Sequence, residues 1–426
     1  MRASYFNFFL LFACLIIIGD SCTNTDPYWT HFRGSNLNGI SNVTSCPVRW
    51  SADSNIVWKT GLHGRGWSSP VVYEDQIWMT TATEEGNLMY AVCIDYNTGE
   101  ILFDIQIFEP DSIYRKHDIN SYATPTPCIE KDFVYVHFGR YGTACLSTRD
   151  GSVIWKRTDL SCSHVQGPGS SPILYKNLLI LHLEGTDRQF ITALNKSNGE
   201  TIWETDRPAD IYNRLAPIGR KAYITPIVIR VNGKDRLISN GSAACIAYDP
   251  VSGKEIWQIV RGEDSTISMP FYEDGIVFFH TGFITSGEND RYAELMAVDP
   301  DGTGDIGETN IRWRVKTPIL QLATPVIKDG FIYTIDSKSI LMCINARSGE
   351  TVWSKRLKGK YNSSPVYAAG RIYFSATNGK TLVIEEGPKL KVIAENTLDG
   401  EIWTTPAIYK NSMILRTSEY LYRIGM

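Results

Sequence analysis

The side chains best suited to chemistry in this chain cluster in a few irregular, polar stretches. His63 and Arg65 share a Gly-rich stretch, and Arg115-Lys116-His117 form a cationic run. His164 precedes Gln166-Gly167-Pro168, Asp187-Arg188-Gln189 follow, and Arg214 and Arg220 stand between residues 207 and 221. Guanidinium groups grip carboxylates and sulfates in bidentate pairs, so such a set, if gathered, binds an acidic ligand. His63, His117 and His164, with Tyr114, Tyr122 and Tyr141 near them in sequence, are also the residue types that cleave uronic-acid sugars by acid–base chemistry. The plainer role stays open for each: long loops carry solvated charge, and arginines pair with neighbours such as Asp111, Asp187 and Asp210. No nucleophile elbow, phosphate loop or Gly-rich strand–helix turn accompanies these residues. No CxxC pair exists, so no metal centre of the zinc type is expected.

The elements that must position them repeat. Residues 321–357 read as four short strands, at 323–327, 331–335, 340–344 and 351–355, separated by tight turns such as Asp329-Gly330. One meander of this size has two open edges and an apolar face that it cannot bury alone. Its copies are marked by a small residue, then Asp, Asn or Ser two positions on, then Gly, then an aromatic. Cys93…Phe103, Cys145…Trp155, Ala193…Trp203, Ala247…Trp257 and Cys343…Trp353 all span ten positions, with Gly four before the aromatic. A sixth copy, Ala297 to Trp313, carries a six-residue insertion. Four-stranded repeats of roughly 40–55 residues indicate a β-propeller. The expected fold class is therefore all-β.

First strands are announced by Ser, Thr or Met beside a proline, at Pro70, Pro125, Pro172, Pro226, Pro270, Pro325, Pro365 and Pro406, which gives eight blades. Blade seven has Val392-Ile393 in place of the tryptophan. The chain ends after three strands of the last blade, and residues 55–59, around Trp58, supply the fourth and close the ring. Trp58, Trp155, Trp203, Trp257, Trp313 and Trp353 are expected to be structural, packed between blades. In a meander, the turns joining strands two and three share one end with the blade-to-blade connections. That end receives the long segments 63–67, 108–122, 159–168, 184–189, 207–221 and 282–291, and with them His63, Arg65, Arg115, Lys116, His117, His164, Arg188 and Arg214.

The chain has 426 residues and a net charge of −4, with no basic domain or extended Lys/Arg run, which argues against nucleic-acid binding. Arg2 precedes the apolar run 6–18, too short and too N-terminal for a comfortable span, so residues 1–21 read as a signal peptide. Ile18-Gly19-Asp20-Ser21-Cys22 looks like a loose lipobox, with Cys22 lipidated, residues 22–27 as tether and 28–426 as one monomeric propeller; a cleaved soluble form and an uncleaved anchor are the alternatives. Cys93, Cys145, Cys245 and Cys343 fall in third strands of different blades, too far apart for disulfides, and read as small core residues.

The docking repeat, with the phrases WTHFRGSNLNGIS, GRGWSSPVVY, TPTPCIEKDFVYVHFG, GPGSSPILY and GTDRQF, resembles the PQQ-binding-like β-propeller repeat family over about residues 28–425. The resemblance implies an eight-bladed quinoprotein-type propeller. That group includes quinone-dependent dehydrogenases and the lipoprotein scaffold of the outer-membrane barrel-assembly machinery. In the dehydrogenases a vicinal disulfide and a Ca²⁺ accompany pyrroloquinoline quinone. Here no Cys-Cys dipeptide and no CxxCH haem motif occur, so no cofactor is expected. The expectation is a non-enzymatic, outer-membrane-anchored or periplasmic propeller that binds an envelope protein or an acidic glycan. An enzyme on acidic saccharides and a quinone dehydrogenase with Ca²⁺ remain the alternatives.

Overall fold

Short apolar strands alternate with turns, and in most blades a two-residue turn joining the first two strands enters the left-handed region. At Asp329 and Gly330 φ is 50° and 77°, the geometry that folds one strand back on the next with the right twist. A computed structural model describes residues 27–263, 266–287, 290–318 and 322–425. The expected leader over 1–21, Cys22 and all of the tether but Pro27 lie outside these residues.

Eight antiparallel sheets form the blades of a β-propeller, the first running from Val71 to Phe108 and the last from Ala407 to Ile424. Ile56–Gly61 pairs antiparallel with Tyr420–Ile424, Lys59 opposite Tyr422, and completes the eighth blade. The ring is therefore closed by an early strand on a late one. The insertion before Trp313 also forms a strand: Gly304–Asp305 lies parallel to the outer edge of blade four, with Gly304 opposite Trp257. Trp257 is fully buried in consequence.

The docking repeat has a physical basis that links neighbouring blades. Each tryptophan reaches across to the turn between strands three and four of the next blade and donates its indole N–H there. Trp155 donates to Lys196 O at 2.9 Å, Trp203 to Pro250 O at 3.2 Å and Trp257 to Pro300 O at 2.9 Å. Trp58 does the same to Tyr96 O at 2.9 Å, Trp313 to Ala346 O at 2.9 Å and Trp353 to Gly387 O at 3.4 Å. The repeat glycine is the surface on which the ring lies. Gly253 has φ +70°, and a Cβ there would stand 2.4 Å from the Trp203 ring. Only glycine both adopts that conformation and admits the indole.

One feature differs from the sequence reading. Pro127, not Pro125, precedes the first strand of blade two, which starts at Cys128; the doubled Thr-Pro of residues 124–127 hides which proline is in register. Residues 28–41, which show no periodicity, run inside the ring along the innermost strands. Trp29 exchanges backbone bonds with Val72, Thr30 O accepts from Ile129 N, and Gly39 O accepts from Tyr367 N. His31 Nε2 accepts from Leu174 N at 3.2 Å, so its Nδ1 carries the proton toward Thr30 Oγ1. Arg33, fully buried, donates to Thr324 O, Pro325 O, Pro365 O and Asn38 O. Such a segment fails any test for period because its partners are the inner edges of several blades in turn.

The cysteines of the third strands are buried thiols without disulfides. Burial pushes those of Cys145, Cys245 and Cys343 up to about 12.

Candidate functional site

The insertion between blades one and two is held as a rigid arm. Tyr122 donates to Tyr114 O at 3.1 Å, Tyr114 N donates to Tyr141 Oη at 3.0 Å, and Asn120 Nδ2 donates to Gln166 O at 2.8 Å and Pro168 O at 3.0 Å. His117 N donates to Gln166 O at 3.1 Å. This arm and the following blade-to-blade loop enclose a concave site of about 430 Å³, lined by Tyr114, Arg115, Lys116, His117, Arg140 and His164, with Val165 and Ile218 beside them.

Three full cations meet there. The Arg140 guanidinium lies 3.3 Å over the Tyr114 ring, and the Lys116 ammonium 5.4 Å over Tyr122. Partial burial lowers the Lys116 pKa, and the Arg65 charge adds to the effect; Asp118 and Glu84 oppose it from a distance. Arg115 and Arg140 form no ion pair, nor does Lys116, among the described residues. His164 is buried and held near 4, first by burial and then by Arg140, so its imidazole is neutral at neutral pH. Its Nε2 sits 3.2 Å from the Cys162 thiol, which burial holds well above its usual value. The pair is thus neutral thiol against neutral imidazole, without a nucleophilic thiolate.

The remaining candidates stand apart from this pocket or are already neutralised. His63 Nε2 lies 2.9 Å from Asp104 and its ring packs edge-on to Tyr90. Arg65 bonds Glu84 at 3.1 Å, and Arg188 is shared between Glu204 at 2.6 Å and Asp206 at 2.9 Å. Arg214 lies one helical turn from Asp210 at 3.8 Å, and Arg220 Nε donates to Leu215 O.

A second cavity, of about 300 Å³, lies next to the first and shares His117 and Gln166 with it. Phe32 of the inner segment, Trp67 and Trp403 give it apolar walls; the two indoles stack with centroids 5.0 Å apart at 14°. Around it runs a belt of hydroxyls, one from each residue that precedes a first-strand proline. Ser69 N donates to Thr126 Oγ1, Thr126 N to Ser171 Oγ, and Ser171 N to Thr225 Oγ1, at 2.9–3.0 Å. Met269 N donates to Thr324 Oγ1, Thr324 N to Ser364 Oγ, Ser364 N to Thr405 Oγ1, and Thr405 N back to Ser69 Oγ, at 2.9–3.2 Å. The belt is interrupted only where Met269 stands in place of a hydroxyl.

No carboxylate lines this cavity, and no group of three potential metal-ligating side chains occurs among the described residues. Protein Ca²⁺ sites combine carboxylates with neutral oxygens, and with no carboxylate on its wall this cavity does not fit a calcium-bearing quinone. Arg140 and the belt escaped the sequence reading. Arg140 sits in the turn at Gly139–Tyr141, and the belt's only signal was the Ser/Thr-Pro pairs, read there as strand markers.

The family described as outer membrane protein assembly factor BamB matches residues 48–216, 187–318 and 297–403. A protein of that name from Yersinia pestis is 22% identical over 278 residues, 55% of this chain and 69% of the relative. The crystal structure of BamB from Moraxella catarrhalis superposes with a TM-score of 0.60 at 12% identity, covering 87% of this chain and 97% of that one. Quinohemoprotein alcohol dehydrogenase from Comamonas testosteroni superposes with a TM-score of 0.66, also at 12% identity, over 94% of this chain and 81% of that one. These structural likenesses are of fold.

Proposed function

The chain belongs to the outer membrane protein assembly factor BamB family, and on that premise we propose that it is a non-enzymatic scaffold of the cell envelope. It docks an acidic segment of a partner envelope protein at its long-loop end. One observation carries the reading: Arg115, Lys116 and Arg140 converge without an ion-pair partner among the described residues, while Arg65, Arg188 and Arg214 are paired. Exposed Ile113 and Tyr114 stand on the same arm, and exposed Val165 and Ile218 on neighbouring loops. Apolar side chains mixed with free cations suit a protein surface better than a heavily hydrated acidic glycan. The shared names of its relatives support the envelope and the assembly role.

The reading extends to the N-terminus. Residues 1–21 are a cleaved leader, Cys22 carries lipid, and residues 22–27 tether the propeller to the outer membrane. The apolar run before Ile18–Cys22 supports this. Mass spectrometry of the mature N-terminal peptide is expected to find acylated Cys22; an unmodified Cys22 overturns the anchor.

The docking test uses a photo-crosslinker placed at Ile113, beside the pocket, in the envelope of cells making the full chain. The crosslinked peptide identifies partner and segment. That segment, made as a synthetic peptide, is expected to bind the purified protein, weaken as salt rises, and lose most of its affinity to Arg115→Ala/Lys116→Ala with the circular dichroism unchanged. A peptide bound equally by the double variant, or acidic glycans bound in place of any protein, overturns the reading.

A further inference from the structure

The cavity on the propeller axis carries more donor capacity than its own structure uses. Each of the seven belt hydroxyls accepts a backbone N–H from the preceding position in the ring, and all seven line the cavity. None donates a hydrogen bond to any described residue. Seven O–H groups therefore face one space with their protons unspent, whereas each oxygen has already committed a lone pair.

The charge around the belt has one sign. Arg33 is fully buried and donates to the carbonyls of Thr324, Pro325 and Pro365, which are belt residues or their prolines. Arg416, 2% exposed, donates to Ser68 O at 3.1 Å and Thr80 O at 2.8 Å, beside Ser69. Neither guanidinium has a carboxylate partner among the described residues, and burial lowers the pKa of both to about 9. Buried charge without a counter-charge is costly, and nothing on the cavity wall offsets it.

We infer that the axial cavity is a binding site for a small amphipathic anion. Its carboxylate or phosphonate accepts from the belt hydroxyls, and its apolar body lies among Phe32, Trp67 and Trp403. The uncompensated guanidiniums favour an anion over a cation, although hydroxyl oxygens could in principle coordinate either. This site adjoins the docking pocket through His117 and Gln166 but contains none of its three cations, and it does not depend on the scaffold reading.

The test is calorimetric titration of the purified full chain in chloride-free buffer with sodium benzoate, phenylphosphonate and neutral benzyl alcohol. Benzoate is expected to bind at least about tenfold more tightly than benzyl alcohol, because its hydrogen bonds are charge-assisted, and to raise the melting temperature with concentration. Thr126→Val/Thr405→Val keeps the shape of the wall while removing two donors, together with the acceptors of Ser69 N and Ser364 N. It is expected to weaken benzoate about fivefold or more and to leave benzyl alcohol unchanged. Trp403→Ala is expected to weaken all three probes. If wild-type protein binds benzoate no better than benzyl alcohol, the inference fails without recourse to any variant. It fails equally if benzoate binding survives in the belt variant but is lost in Arg115→Ala/Lys116→Ala, which would place the anion in the docking pocket.

Discussion

Two glycines with nearly the same backbone separate strain from docking at the scale of single residues. Gly253 and Gly233 both lie at positive φ, 70° and 76°, but a Cβ at Gly233 would meet nothing within 4 Å. Gly233→Ala is expected to cost about 1–2 kcal/mol, the strain of a left-handed alanine. Gly253→Ala must also displace the Trp203 ring, and is expected to cost at least about 2 kcal/mol more in urea melts. Equal losses would mean that the Trp–Gly contact contributes nothing. Trp257→Ala removes a fully buried indole together with its bond to Pro300 O, and is expected to cost about 3–5 kcal/mol. The spacing of these residues was visible in the sequence, because glycine and tryptophan have few substitutes in such a contact. The partners were not visible: Trp58, Trp155, Trp203 and Trp313 pack on the repeat glycine of the next blade, at Gly99, Gly199, Gly253 and Gly349, and sequence distance carries no trace of ring order. Arg33 and Arg416 were equally hidden, since an arginine satisfied by backbone carbonyls looks the same in sequence as a solvated one.

At the scale of elements, strand parity assigned the irregular loops to one end, and one of them does meet the end of blade one's second strand: the backbone of Arg65 pairs with that of Ala82. What each loop does with its charge depended on which carboxylates the neighbouring strands bring up, such as Glu204 and Asp206 beside Arg188. The closing strand was legible as a tryptophan strand lacking predecessors. The segment before it was not, because residues 28–41 answer to the inner edges of the blades and to no periodicity of their own. Deletion of residues 28–61 opens the eighth blade and bares those inner edges. The expected result is aggregation or a large fall in melting temperature by light scattering and calorimetry. A monomeric protein with unchanged melting would contradict the closure.

For the whole molecule, acid is the expected weakness. Burial holds His137 near 3 and His164 and His280 near 4, and His182 lies well below its usual value. Unfolded, each titrates near 6.5, so below that pH the unfolded chain binds more protons than the folded one. Stability contributed by the neutral imidazoles is full above about 6.5 and declines as pH falls toward 4. Urea midpoints measured from pH 7.5 to 4.5 are expected to drop through that window; a flat profile would show that these imidazoles are not held neutral. The closed ring also has a consequence in time. Ile56–Gly61 finds its partner only in Tyr420–Ile424, so in a chain emerging from its N-terminus the clasp is made first and its catch last. Every blade made in between must wait on an unsealed circle, and no fragment short of the final strand can lock. A chain that crosses a membrane before folding gains from such a latch, because it stays threadable until its last strand has passed.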